Sequence, residues 1–235
     1  IKLPHLESGA PGYLFFPIST SGTIQEANGA QASRLVPEAA TTGTAALLGL
    51  HPRPRGAGFN QDRPYRWEPL LTAHDVRTDD YRGAIAVLLV HVKPPFRGGV
   101  WATFTPSEAG FYRQPLVTNC LRQTLVRMRR GVFLAEGGAE FFTTFPEQSF
   151  SVGARVVNFG REAATNLSVA LEVGRERDRR NRLVKQTALS LAPGADQAIE
   201  EQTKLQGNEE NLVRVTVRAG DTVVDSLSHE IGVWQ

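Results

Sequence analysis

The amino-acid sequence predicts a mainly β protein, α+β in its N-terminal part and closed by a C-terminal immunoglobulin-like antiparallel β-sandwich. Three observations carry this. Phe150, Val152, Ala154 and Val156 alternate with smaller or polar residues, as do Leu167, Val169, Leu171 and Val173, and then Val213, Val215 and Val217; a period of two marks a half-buried strand. Turn signals separate these runs: Asn158-Phe159-Gly160, Pro193-Gly194 and Ala219-Gly220-Asp221. Only one stretch of the whole chain has clear helical periodicity. The expected division is a β-rich domain over 1–146 and a sandwich over 147–235, with the boundary at Pro146.

Residues 1–45 are rich in Gly, Ser, Thr and Ala, and Tyr13 to Ile18 is their strongest apolar run. Pro17 cannot donate to a ladder, which makes this run an edge strand. Thr20 to Thr23 reads as a loop, and Ala39 to Leu50 fits a short helix or a strand equally. His51 to Gly58 holds two prolines and is irregular; Arg53, Arg55 and Arg63 beside it are read as part of a solvated connector rather than an anion site. Tyr65 to Leu71, Ala84 to Val92 and Val100 to Phe104 form an expected three-stranded meander, with Lys93 to Gly99 as the return. The second of these is the most hydrophobic run in the chain and reads as a central strand buried on both faces. Pro115 to Arg130 is the expected helix: proline suits its first turn, Val117, Leu121, Leu125 and Met128 share a face with Leu116 and Cys120 beside it, Arg127, Arg129 and Arg130 favour the C-terminal dipole, and Gly131 fits the position just past the end.

Composition narrows function by exclusion. Of 235 residues, 26 are Lys or Arg and 24 are Asp or Glu, a net charge of +2 that gives no electrostatic footprint for a nucleic-acid partner. No apolar stretch is long enough for a membrane span. Cys120 is the single cysteine, so no intrachain disulfide forms; beside Val117 and Leu121 it reads as a buried, inert core thiol. The chain begins at Ile1 without a signal-like leader and reads as a processed mature chain or a piece of something longer.

The chemistry-bearing residues are sparse. No two histidines are spaced as zinc ligands and none neighbours Cys120, so no metal site and no cofactor is expected. His91 lies in the most apolar strand and reads as a satisfied core histidine. Asp75, Asp79 and Asp80 offer oxygens to calcium, but without the glycine and glutamate of an EF-hand loop, and a turn with solvated carboxylates is the preferred reading. No Gly-x-Ser-x-Gly elbow and no phosphate-binding glycine loop occurs, so no catalytic residue is assigned. Asn166-Leu167-Ser168 is a formal glycosylation sequon to which no role is given. Tyr65, Trp67, Trp101, Phe111 and Tyr112 cluster in the middle third, and exposed aromatic faces stack on sugar rings. Both tryptophans fit the core of the meander, where large aromatics are buried; Trp101, between Val100 and Ala102, is expected there, and Trp67, between Arg66 and Glu68, is the one expected to be exposed. The candidate stacking residues are therefore Tyr65, Trp67 and Tyr112.

The order of Arg66-Trp67-Glu68-Pro69-Leu70-Leu71, Arg82-Gly83-Ala84-Ile85-Ala86, Gly98-Gly99-Val100-Trp101-Ala102, the helix, and a sandwich holding Val156-Val157-Asn158-Phe159-Gly160 and Leu191-Ala192-Pro193-Gly194 resembles a region of large bacterial glycoside-hydrolase-like proteins, in which an accessory β-rich segment leads into an immunoglobulin-like module. The sandwich alone is similar to adhesion-type domains of bacterial surface proteins. The resemblance covers about residues 60–235 and implies an extracellular or cell-surface setting, with no catalytic carboxylate pair to carry over. Two functions follow: a non-catalytic, polysaccharide-binding accessory part of a carbohydrate-active protein, or a structural or adhesive module that binds protein. A hydrolase in its own right is the third reading; Glu68, Asp75, Asp79, Asp80 and Glu108 are its available carboxylates, and it needs two of them about 5–10 Å apart.

Overall fold

The computed structural model describes residues 12–17, 22–26, 32–34, 44–49, 64–75, 81–106, 109–141, 143–145, 147–175, 181–206 and 210–233, with side chains described from 64 onward except at 72–75, 81–83 and 233. Arg53, Arg55, Arg63, Asp79, Asp80, Glu108, Pro146 and the side chain of Asp75 lie outside the described residues. The chain divides into two compact units, one comprising Ile1–Arg53, Trp67–Val90 and Val100–Val126, the other Pro54–Arg66, His91–Gly99 and Arg127–Gln235. This is not the single cut expected between 146 and 147. The reason is Val132–Ala139, which pairs with Phe150–Asn158 and so belongs to the sandwich.

The first unit holds β1 (Gly12–Pro17), β2 (Gly22–Glu26), β3 (Ala32–Arg34), β4 (Thr44–Gly49), most of β5 (Tyr65–Asp75) and β6 (Tyr81–His91), β7 (Val100–Phe104), α1 (Ala109–Tyr112) and most of α2 (Pro115–Arg130). Its sheet runs β1-β4-β6-β5-β2-β3, with β7 also on β6. The proline-ended β1 is an edge strand, and β5, β6 and β7 are the expected meander. In β6, Ala84, Ile85, Ala86, Val87, Leu88 and Val90 are all buried, so both faces are covered, as its unbroken hydrophobicity requires. In α2 the buried stripe is Val117, Cys120 and Thr124, not the expected Val117, Leu121, Leu125 and Met128; Leu125 is 58% exposed. Thr124 tolerates burial because its hydroxyl donates to the Cys120 carbonyl at 2.8 Å.

The second unit is the sandwich. After β8 (Val132–Ala139) and β9 (Thr143–Thr144) come β10 (Phe150–Asn158), β11 (Ala164–Gly174), β12 (Asn181–Leu191), β13 (Asp196–Thr203), β14 (Leu212–Ala219), β15 (Thr222–Glu230) and β16 (Gly232–Val233). One sheet has the order β13-β10-β8, the other β12-β11-β14-β15, and all their pairings are antiparallel. A short parallel pair joins β16 to β9. One continuous core includes Val152, Ala154 and Val156 from the first sheet and Val169, Leu171, Val213, Val215 and Val217 from the second. These are the alternating sets of the sequence, and their interdigitation accounts for the two-layer architecture.

Two of the three turns named in the sequence, Asn158-Phe159-Gly160 and Pro193-Gly194, meet at Asn158, which is fully buried. Its side-chain amide donates to the carbonyls of Leu191 and Glu162, both at 2.9 Å, and its side-chain oxygen accepts from Gly160 N–H at 2.9 Å. Its backbone carbonyl accepts from Gly194 N–H at 2.7 Å. Asn158 thus ties the end of β10 to the Pro193-Gly194 turn. Gly131 ends α2 with a positive φ of 73°, and a Cβ there would lie 2.3 Å from the Gly160 nitrogen. Only glycine permits that close backbone approach.

Candidate functional site

The aromatic residues do not assemble as the sequence suggests. Trp101 on β7, expected in the core, is 51% exposed. Burial alternates along β7, and Thr103 is exposed with Trp101; residues two apart share a face. Trp67, expected to be exposed, is half-buried and packs on Ala84 and Val87. Its charged neighbours misled: Arg66 and Glu68 are themselves buried, at 7% and 8% exposure. A charge survives inside when it is paired and hydrogen-bonded, and Arg66 is.

Tyr112 is also committed. Its hydroxyl donates to the Pro106 carbonyl at 2.6 Å, and its ring sits against Phe104 and edge-on to Phe111. Burial raises its pKa above the ordinary phenol value. Tyr65 stands edge-on to His91, with ring centres 6.0 Å apart, and His91 in turn lies 5.4 Å from the exposed ring of Phe96. The His91 carbonyl accepts from Gly98 N–H, and its own N–H donates to the Gly99 carbonyl, both at 2.9 Å. These bonds fold the 92–99 return over the ring. Desolvation lowers the pKa of His91, which holds it neutral near pH 7. Of the three candidate stacking residues, Tyr65 and Trp67 are two apart on one strand, and Tyr112 follows the short α1.

Sequence reasoning missed a buried charge cluster in the sandwich. The Asp225 carboxylate, 1% exposed, accepts from Arg66 Nη1 at 2.5 Å, Arg127 Nη2 at 2.9 Å, Leu134 N–H at 2.8 Å and Ser226 N–H at 2.9 Å. Arg66 Nη1 also donates to the Leu134 carbonyl at 2.9 Å. Farther along the same strand, Ala139 N–H donates to His229 Nδ1 at 3.1 Å. Side chains therefore take up the N–H and carbonyl of Leu134 and the N–H of Ala139 on β8, the end strand of its sheet, and leave fewer groups there to pair with a further strand. A register shift in β15, where Arg218 faces Val223 and Val217 faces Asp225, leaves Val224 as the extra residue. With Val224 in the hydrophobic core, the adjacent Asp225 lies on the other face of the strand. Glu136, Arg155 and Asp196 on the three-stranded sheet, with Arg97 from the 92–99 return, alternate in sign, at 4.0, 2.8 and 3.1 Å. Both arrangements are structural: every strong partner of Asp225 is a donor already within the fold.

Among the described residues no group of three or more His, Cys, Asp or Glu is placed to hold a metal ion, and no helix is long and apolar enough to cross a membrane. Cys120 is buried.

No protein-family model and no curated protein sequence matches the chain. Solved structures that overlap it include the sporulation control protein Spo0M from Bacillus subtilis (14% identity, 45% of this chain and 50% of that one, TM-score 0.32). The CARDB domain of the PF1109 protein from Pyrococcus furiosus overlaps at 16% identity, over 44% of this chain and 92% of that one, with a TM-score of 0.32. A β-glucosidase from Erythrobacter marinus overlaps at 13% identity, over 43% of this chain and 15% of that one, with a TM-score of 0.32. The chain thus spans half the length of Spo0M and a small part of the β-glucosidase. No activity follows from likenesses of this extent.

Proposed function

We propose that this chain is a non-catalytic accessory part of a bacterial extracellular carbohydrate-active protein, and that it contacts saccharide through Trp101. The observation that carries the reading is the half-exposed indole of Trp101 on β7, with Thr103 exposed on the same strand face. An indole offers a flat apolar face for the CH groups of a sugar ring, and a neighbouring hydroxyl supplies a hydrogen bond. The stacking role expected of Trp67 and Tyr112 passes to Trp101, because Trp67 lies against Ala84 and Val87 and the Tyr112 hydroxyl is spent on Pro106. Tyr65 remains a secondary candidate beside His91 and the exposed Phe96.

The test is retention of the full chain on cellulose, chitin, xylan and mixed-linkage glucan. The wild-type chain is expected to be retarded by at least one of these, and Trp101→Ala to run through unretarded with its melting temperature unchanged. Equal retardation of both, or none for the wild type, contradicts the reading.

A second reading, a structural or adhesive module that binds protein, is favoured by a different observation: Leu125 and Val126 on α2 are 58% and 49% exposed.

A further inference from the structure

We propose that the exposed face of α2 docks an acidic, partly apolar segment of a partner protein. The inference is independent of Trp101. The sequence of α2, PLVTNCLRQTLVRMRR, contains four arginines and no acidic residue. Arg122 and Arg129 are seven residues apart, so they stand two turns apart, about 10 Å, on one stripe. Both are exposed, as is Arg130. On the helical net Leu125 flanks this stripe on one side and Val126 on the other. Among the described residues, no carboxylate pairs with Arg122, Arg129 or Arg130; Arg122 Nη2 donates to Asn119 Oδ1 at 2.9 Å. Arg127, by contrast, is committed to Asp225 at 2.9 Å. Among the described residues, the helix therefore separates one cation that serves the fold from three that pair with no carboxylate.

This composition selects the class of partner. Arginine is enriched in protein–protein contacts and apolar side chains fill their centres. A guanidinium pairs with a carboxylate through two parallel hydrogen bonds, so two arginines in line call for carboxylates at matching spacing, with apolar side chains between them for Leu125 and Val126. A bilayer surface fits less well: an interfacial helix buries a wide apolar face, whereas Val117 and Cys120 of this helix are already buried. Nucleic acid fits less well too, because two aliphatic side chains occupy the flanks where further phosphate contacts would be made.

The experiment uses the full chain and a labelled synthetic amphipathic peptide carrying glutamates two helical turns apart, with leucines between. Its lysine-for-glutamate counterpart, phosphatidylglycerol vesicles and polygalacturonate are the comparison probes. The acidic peptide is expected to bind with an affinity that falls as salt rises, and the Arg122→Glu/Arg129→Glu variant to lose at least about tenfold. The reversed variant is expected to gain binding to the lysine peptide, a rescue that a misfolded protein cannot give. Leu125→Ser/Val126→Ser is expected to weaken the acidic peptide without lowering the melting temperature. Preference for vesicles or polygalacturonate over the peptide overturns the proposal. So does undiminished binding by the charge-reversed variant, or no peptide binding at low salt.

Discussion

Asp225 on β15 and Arg66 on β5 are 159 residues apart in sequence, yet Arg66 Nη1 lies 2.5 Å from Asp225 Oδ2, with both side chains almost wholly buried. Removing one partner of such a pair leaves an uncompensated buried charge. Asp225→Ala is expected to destabilise the sandwich by about 3–5 kcal/mol, because two arginines and two backbone N–H groups lose their acceptor together. Arg127→Ala is expected to cost about 1 kcal/mol, since the Arg127 side chain is 19% exposed and Arg66 still neutralises the carboxylate. Urea midpoints of the two variants check the ranking; equal losses contradict it.

Gly131 and Gly194 both have positive φ, 73° and 77°, but their surroundings differ. A Cβ at Gly131 would meet the Gly160 backbone at 2.3 Å, whereas one at Gly194 would meet nothing within 4 Å. Gly194→Ala is expected to cost about 1 kcal/mol, the conformational penalty alone. Gly131→Ala adds a backbone clash and is expected to cost at least about 2 kcal/mol more. Thermal melts separate the two, and indistinguishable melts would count against the close approach of Gly131 and Gly160.

His91 makes stability depend on pH. Burial disfavours its charged form, so its folded pKa lies below the ordinary 6.5. At pH values below that, the unfolded chain takes up the proton more readily than the folded one. The contribution is therefore present above about pH 6.5 and is lost as pH falls through the folded pKa. The melting temperature of wild type is expected to drop between pH 7.5 and pH 5 by more than that of His91→Gln, with the difference opening only below the ordinary imidazole value. Parallel curves would contradict it.

Much of the fold was legible because core strands repeat a period of two. Val152, Ala154, Val156, Val169, Leu171, Val213, Val215 and Val217 all lie in the core the sequence marked. The strand β13 was not legible: in Asp196–Thr203 only Ile199 is buried, so an edge strand with one apolar anchor looks like loop. The place of β8 was hidden because its pairing with β10 is nonlocal, and because the acceptors for its outer edge come from Asp225 and His229, about ninety residues on. The helix span was legible from Pro115 and Gly131, but its buried stripe was not, since Thr124 is buried through a hydrogen bond that composition cannot reveal. At the candidate site, flanking residues misdirected the reading. Val100 and Ala102 suggested a buried Trp101, and Arg66 and Glu68 an exposed Trp67, yet alternation within a strand places a residue's neighbours on the opposite face.

That reversal is the centre of the functional account, and one paired measurement tests it. Trp67→Ala and Trp101→Ala are compared by thermal melt and by retention on the same polysaccharide panel. Trp67, packed on Ala84 and Val87, is expected to lose about 2–3 kcal/mol of stability on truncation. Trp101→Ala is expected to stay within about 0.5 kcal/mol of wild type while losing saccharide retention. If Trp101→Ala is destabilised as much as Trp67→Ala, or if saccharide retention is lost only with Trp67, the assignment of Trp101 as the contact residue is wrong.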